Sequence, residues 1–204
     1  MIAVIDYGAG NIRSVENALL VLGQKAVTTE DPDTILAADH VILPGVGAFG
    51  DAMKRLDESG LSDVIREVAG KGTPFLGICL GLQLMFEESE ESPGVRGLAL
   101  LGGSVKRLPD GEGRKIPQIG WNRLSFPRPS RLYERMEETG EEPYVYFVHS
   151  YYLEASDPQI VTSTCDYGTV VHASVEHENL FACQFHPEKS SRFGMHILQN
   201  FVSI

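Results

Sequence analysis

Residues 73–86 read TPFLGICLGLQLMF. An apolar run, TPFLGIC (73–79), carries the density of a buried strand, and LGLQLMFEESE (80–90) behind it has helical texture. The join falls on Cys79, with Gly77 two positions before it and Gly81 two after. A core position needs only some small apolar residue, whereas G-x-C-x-G between a strand and a helix has the logic of a nucleophile elbow. There a side chain stands on a sharp turn, and the flanking glycines let backbones pass closely. A cysteine at a helix start feels the positive end of the peptide dipoles, which lowers its pKa and favours the thiolate. Backbone N–H groups at the same place, that of Leu80 included, can receive a developing oxyanion. The competing reading is a cysteine that merely ends a buried strand, a common fate of free thiols.

Upstream, IAVID (2–6) reads as a strand, YGAGN as a turn, and Ile12, Val15, Ala18, Leu19 and Leu22 recur at helical spacing up to Gly23. HVILPG (40–45) repeats the strand signal, and GAFGDAMKRL (47–56) and LSDVIREVAG (61–70) are helical. Strands apolar at nearly every residue and alternating with helices predict an α/β fold, a mostly parallel central sheet flanked by helices on both faces. From Leu98 onward the pieces GSVKRLP, RKIPQIGWNRLSF, YVYFVHSYYLE, QIVTSTCDYG, TVVHASVEHENL and FACQFHPE are strand-like and divided by turn residues. They predict an antiparallel strand extension packed on the parallel sheet. SSRFGMHILQNF (190–201) closes the chain as a helix, and the charged segment 126–143 has no assignable role. At 204 residues, one domain over 1–204 is expected.

Seventeen basic against 28 acidic residues give 17 − 28 = −11, which argues against nucleic acid or an anionic membrane as the main partner. No apolar stretch approaches the ~18 residues of a spanning helix, and a cytoplasmic protein is expected. Cys79, Cys165 and Cys183 are odd in number and widely spaced, without Cys-x2-Cys or His-x3-His, so neither a disulfide framework nor a metal site is indicated.

A nucleophilic cysteine needs a base. FACQFHPEKS (181–190) runs from an apolar strand into His186-Pro187-Glu188, and in an extended segment residues i and i+2 project to the same side. Glu188 can therefore orient the His186 ring and stabilise the imidazolium formed when it takes a proton from Cys79. LPGVGAFGD (43–51) sets glycines after a strand, where an amide can turn toward an oxyanion. Gly8-x-Gly10-x-x-Arg13 lacks the third glycine of a dinucleotide fingerprint, so no cofactor is expected there. Cys165 and Cys183 read as core, and among the other histidines His149, ending an apolar strand beside Ser150 and Tyr151, stands out.

With these pieces in place the sequence resembles the class I, or triad, glutamine amidotransferases, and more narrowly the glutaminase subunits of imidazole glycerol phosphate synthase. The motifs DYGAGNIRSVENAL, PGVGAFGDAM, GICLGLQLMFEESEE, PGVRGLALLGGSV, IPQIGWN, YFVHSYY and QFHPEKSS occur in the family's order along nearly the whole chain. The resemblance implies Cys79 as nucleophile, His186 as general acid and base, and Glu188 as its orienting partner. It further implies an oxyanion hole from Gly45, Val46, Gly47 and Leu80, and glutamine held by Gln83, Ser150 and Tyr151. It implies no cofactor. It implies as partner a cyclase subunit, a (β/α)8 barrel that forms a heterodimer and receives ammonia, with Asn11, Ile12, Trp121 and Asn122 on the docking face. Glutaminases serving vitamin B6, anthranilate or nucleotide synthesis, a stand-alone cysteine hydrolase, and a binding module with a degenerate site are the alternatives.

Overall fold

The structure, a computed structural model, describes residues 1–8, 10–111 and 114–204. Its first part runs β1 (Ile2–Ile5), α1 (Ile12–Val21), β2 (Ala26–Thr29), α2 (Pro32–Leu36), β3 (His40–Leu43), α3 (Phe49–Glu58), α4 (Leu61–Gly70), β4 (Phe75–Ile78) and α5 (Leu80–Leu84). Then follow β5 (Glu88–Ser89), β6 (Gly103–Arg107), β7 (Gln118–Arg123), β8 (Tyr144–His149), β9 (Tyr151–Ala155), β10 (Val161–Asp166), β11 (Val170–His177), β12 (Leu180–Cys183) and α6 (Ser191–Phe201).

Seven strands form the main sheet in the order β10-β11-β12-β4-β3-β1-β2. The run from β12 to β2 is parallel, and β10 and β11 extend it antiparallel at one edge. Smaller sheets, β5-β6-β9 and the β7-β8 hairpin, flank it. Successive residues of the inner strands point to opposite faces. Ala3, Leu43, Phe75 and Ala182 meet Ile35, Phe49, Leu56 and Ile65 of α2, α3 and α4 on one side. Val4, Ile42, Leu76 and Phe181 meet Val15 and Leu19 of α1 and Ile197 and Phe201 of α6 on the other. Burial on both faces is what makes these strands apolar throughout.

Two expectations are corrected. The helix read over 80–90 stops at Leu84, because the carbonyls that would continue it are taken by another segment. Leu98, Leu100, Ala99 and Gly97 donate to Leu84, Met85, Phe86 and Glu87 respectively, and Glu88–Ser89 pairs with β6 instead. FACQFHPE does not belong to a separate antiparallel layer: β12 lies inside the main sheet, parallel to β4 with Cys183 opposite Ile78. Its four residues, all buried, suit an interior strand. The short β2 and α2 carry Thr28, Thr29, Asp33 and Thr34 in place of a strong apolar pattern, and sequence reading passed over them. Segment 126–143 forms two 3-10 turns pinned to the sheet. The Tyr133 hydroxyl lies within hydrogen-bond distance of Ser163 Oγ at 3.0 Å and Ser174 Oγ at 2.7 Å, and the Arg131 guanidinium lies 4.6 Å over the Phe181 ring.

The loops after β1, β3, β4 and β12 all leave the sheet at the carboxyl ends of parallel strands, the end at which open α/β sheets gather ligand-binding residues.

Candidate active site

Cys79 sits between β4 and α5 with φ 56° and ψ −107°, a conformation that a side-chain-bearing residue adopts only at a cost of roughly 1–3 kcal/mol. The neighbours impose it. Cys79 N donates to Cys183 O at 2.8 Å, tying the turn to β12. A methyl on Gly81 would come within 1.8 Å of the Leu43 carbonyl oxygen, and one on Gly77 within 2.6 Å of Met85 Sδ. Both flanking glycines are thus demanded by close approach, as the elbow spacing predicts. The one-turn α5 gives a smaller dipole than an eleven-residue helix would.

β12 delivers the second half of the site. Its parallel pairing beside β4 carries the chain on to His186, whose ring is 1% exposed and whose Nδ1 lies 2.7 Å from Glu188 Oε1. Among the described residues His186 Nε2 has no hydrogen-bond partner. Burial acts to lower the His186 pKa, but the Cys79 side chain and then the Glu188 carboxylate outweigh it and raise the value to about 9. A protonated ring held against the Glu188 carboxylate at physiological pH is the result.

Two side chains that sequence reading did not assign here complete the surroundings. Asn11, in a left-handed turn at the start of α1, donates Nδ2 to Glu188 Oε1 at 2.5 Å and lies 3.3 Å from His186 Nδ1. Gln184 donates Nε2 to Cys79 Sγ at 3.7 Å and accepts from Gln83 Nε2 at 3.0 Å. Neither is signalled locally, since Asn11 precedes an ordinary amphipathic helix and Gln184 follows a buried strand.

Cys79, Leu80, Gln83, Val46, Gly47, Ser150 and Tyr151 line one cavity of about 290 Å³, together with Val148, His149 and Glu91. Gly45 stands just behind it, and its carbonyl accepts from Leu80 N at 3.3 Å, so that amide is engaged within the protein. Gln83 also donates to Tyr151 O at 2.9 Å. His149, buried, has its pKa lowered to about 4 by desolvation, and Nδ1 lies 2.8 Å from Tyr151 O. Neutral at physiological pH, it donates from Nδ1 and leaves Nε2 without a partner among the described residues.

Of the residues expected at a docking face, Trp121 is 48% exposed, while Ile12 and Asn122 are half-buried and Asn11 turns toward Glu188. Cys165 and Cys183 are buried strand residues, and among the described residues no group of His, Cys, Asp and Glu is arranged to hold a metal ion. No helix of the described residues is long and apolar enough to cross a membrane.

The family model of class-I glutamine amidotransferases matches residues 3–204. An imidazole glycerol phosphate synthase subunit HisH from Moorella thermoacetica is 53% identical over 98% of this chain and 93% of its own length. The protein of the same name from Methanothermobacter thermautotrophicus is 50% identical over 100% of this chain and 98% of its own. A crystal structure of a glutamine amidotransferase superposes with a TM-score of 0.75 at 20% identity, covering 99% of this chain and all of the other, a likeness of fold. Matched along its whole length by both the family model and close relatives, the chain belongs to the class-I glutamine amidotransferases.

Proposed function

We propose that this chain is the glutaminase subunit of imidazole glycerol phosphate synthase, one domain over 1–204 acting in the cytoplasm. The observation that carries the chemistry is the buried His186–Glu188 pair delivered by β12 beside the strained Cys79. In this reading the Cys79 thiolate attacks the side-chain amide carbon of glutamine and the carbonyl electron pair moves to oxygen. His186, protonated, hands its proton to the departing nitrogen, which leaves as ammonia, and a thioester remains. His186 then takes a proton from water, which cleaves the thioester to glutamate and restores the thiolate. Glu188, held by Asn11, keeps the ring oriented and its charge compensated.

Gln83, Ser150 and Tyr151 hold the glutamine. The Gln83 amide nitrogen is committed to Tyr151 and Gln184, so its oxygen is the part that meets the substrate. Leu80 N–H and the Gly45–Gly47 loop receive the oxyanion, but only after the Gly45 carbonyl releases Leu80 N. From this engaged state we expect low activity in the isolated chain and activation by a partner that displaces the loop. That partner is the cyclase subunit, a (β/α)8 barrel that takes ammonia directly and makes imidazole glycerol phosphate and the purine-pathway carboxamide ribotide in histidine biosynthesis. Ammonia is mostly protonated in water at neutral pH, so a dry passage keeps it nucleophilic. Trp121, with Ile12 and Asn122, supplies the docking face, while the Asn11 side chain is committed to Glu188.

The test is glutamate release by the chain alone, with the cyclase subunit, and with the cyclase plus its nucleotide ligand, Cys79→Ala serving as control. Low activity that rises strongly in the liganded complex and falls at least ~1,000-fold in the variant is the expected result. Full activity without the partner would favour a stand-alone hydrolase, and none under any condition a glutaminase with another partner.

A further inference from the structure

Tyr7 is a buried phenol in the loop after β1, 6% exposed, that none of the roles above employs. Its hydroxyl donates to the carbonyl oxygen of Pro44 at 3.0 Å. A methyl group built on Gly45 would stand 2.3 Å from that same hydroxyl oxygen and 3.1 Å from Leu80 Cβ, so the backbone at Gly45 is wedged between Tyr7 and the elbow. The far end of the loop is also tied: Phe49 N donates to Glu91 Oε2 at 2.7 Å and Gly50 N to Ser92 Oγ at 3.0 Å. Between these anchors lie only Gly45 to Ala48, with Gly47 at φ 112° and Val46 partly exposed.

Val46 and Gly47 line the cavity of about 290 Å³ that contains Cys79. They also line a second cavity of about 140 Å³ on whose wall Tyr7, Gly8, Asp51 and Arg55 stand. The loop is therefore a thin partition with space on both sides, and a peptide that turns in it has somewhere to send its carbonyl. We propose that Tyr7 is a positioning residue for the oxyanion loop: it fixes the Pro44 carbonyl and supports Gly45, confining the backbone turn that frees Leu80 N–H to Gly45–Gly47. This rests on the reading of that loop as the oxyanion site. Burial, with the nearby Cys79 charge, raises the Tyr7 pKa far above the working range while Arg55 opposes, so the hydroxyl remains a neutral donor throughout turnover.

Tyr7→Phe removes the donor and keeps the ring. In the complex with cyclase and nucleotide ligand, kcat for glutamine hydrolysis is expected to fall about fivefold, the scale of one neutral hydrogen bond, with KM unchanged. Affinity for glutamate γ-semialdehyde should fall by the same factor, because the Cys79 thiolate adds to its carbonyl carbon and leaves an oxyanion that needs the loop. The rate of Cys79 alkylation by iodoacetamide, which forms no oxyanion, should stay at the parent's value. Equal kcat in the variant and the parent overturns the proposal. So does a joint fall of kcat, affinity and alkylation, the signature of general loss of packing or fold. If the unaltered complex itself fails to hydrolyse glutamine, the oxyanion reading fails first and takes the Tyr7 role with it.

Discussion

A histidine that is 1% exposed and still carries a pKa raised to about 9 makes the site's response to pH calculable in sign. The folded value lies above the unfolded one of about 6.5. The stability contributed by the charged ring is therefore fully present below about pH 6.5 and is lost as pH rises through about 9. Denaturant unfolding of the parent and of His186→Gln, at pH 7 and again at pH 10, should show the parent's advantage shrinking at the higher pH. In the proposed mechanism the same proton goes to the departing nitrogen, so kcat/KM for glutamine in the liganded complex should decline above about pH 9. A rate still climbing through pH 10 would contradict the imidazolium role. At this scale the cysteine was legible because elbow spacing is local, and so was the His186–Glu188 pairing, although the chain makes it across the 3-10 turn Pro187–Lys189 and not in the extended segment that the i, i+2 reading assumed. The Asn11 contact with Glu188 and the Gln184 contact with Cys79 join residues 177 and 105 positions apart, and nothing near either residue announces them.

The elbow depends on backbones touching, and this separates glycines that matter from those that do not. Gly81→Ala would drive a methyl to 1.8 Å from the Leu43 carbonyl, which neither β3 nor α5 can yield without moving the turn. A loss of roughly 1–3 kcal/mol or more in urea unfolding is expected, with glutaminase activity abolished because Cys79 shifts. Gly70→Ala at the end of α4 meets nothing within 4 Å and should be near neutral in the same measurements. Elements with strong periodicity, such as α1, α4 and α6, were readable to within about a residue or two. The length of α5 was not, since it is set by residues 97–101 capturing its carbonyls from a distance. Nor was the placement of β12: LFAC carries the all-apolar pattern of the parallel strands, but it follows a strand and not a helix, so chain order pointed to the antiparallel extension.

Across the whole molecule, the β7-β8 hairpin joins surface to site. Its outer positions include Ile119, 62% exposed, and Trp121, which packs edge to face on Tyr146. Its β8 strand leads through Val148, whose carbonyl lies 3.9 Å from Cys79 Sγ, to His149 and Ser150 in the cavity wall. A partner seated on Trp121 would press on the same strand that borders the thiol. Trp121→Asp should weaken the complex with the cyclase about thirtyfold or more, the effect of losing an aromatic anchor, measured by calorimetric titration. The melting temperature of the isolated chain should barely change, because the side chain is half in water already. Unchanged affinity would move the docking face elsewhere.

The insertion of β12 between β4 and β11 also bears on how the molecule comes into being. Cys79 and His186 are 186 − 79 = 107 residues apart, and β12, the strand that leads to the histidine, follows the other strands of the sheet in chain order. Until it emerges from the ribosome, the β4 edge is unpaired and the thiol has neither base nor carboxylate beside it. Pairing across so long a loop is slow, which leaves that apolar edge open to wrong partners while it waits. In return, if Cys79 is the nucleophile proposed above, the nascent chain carries it without its base until β12 has paired with β4.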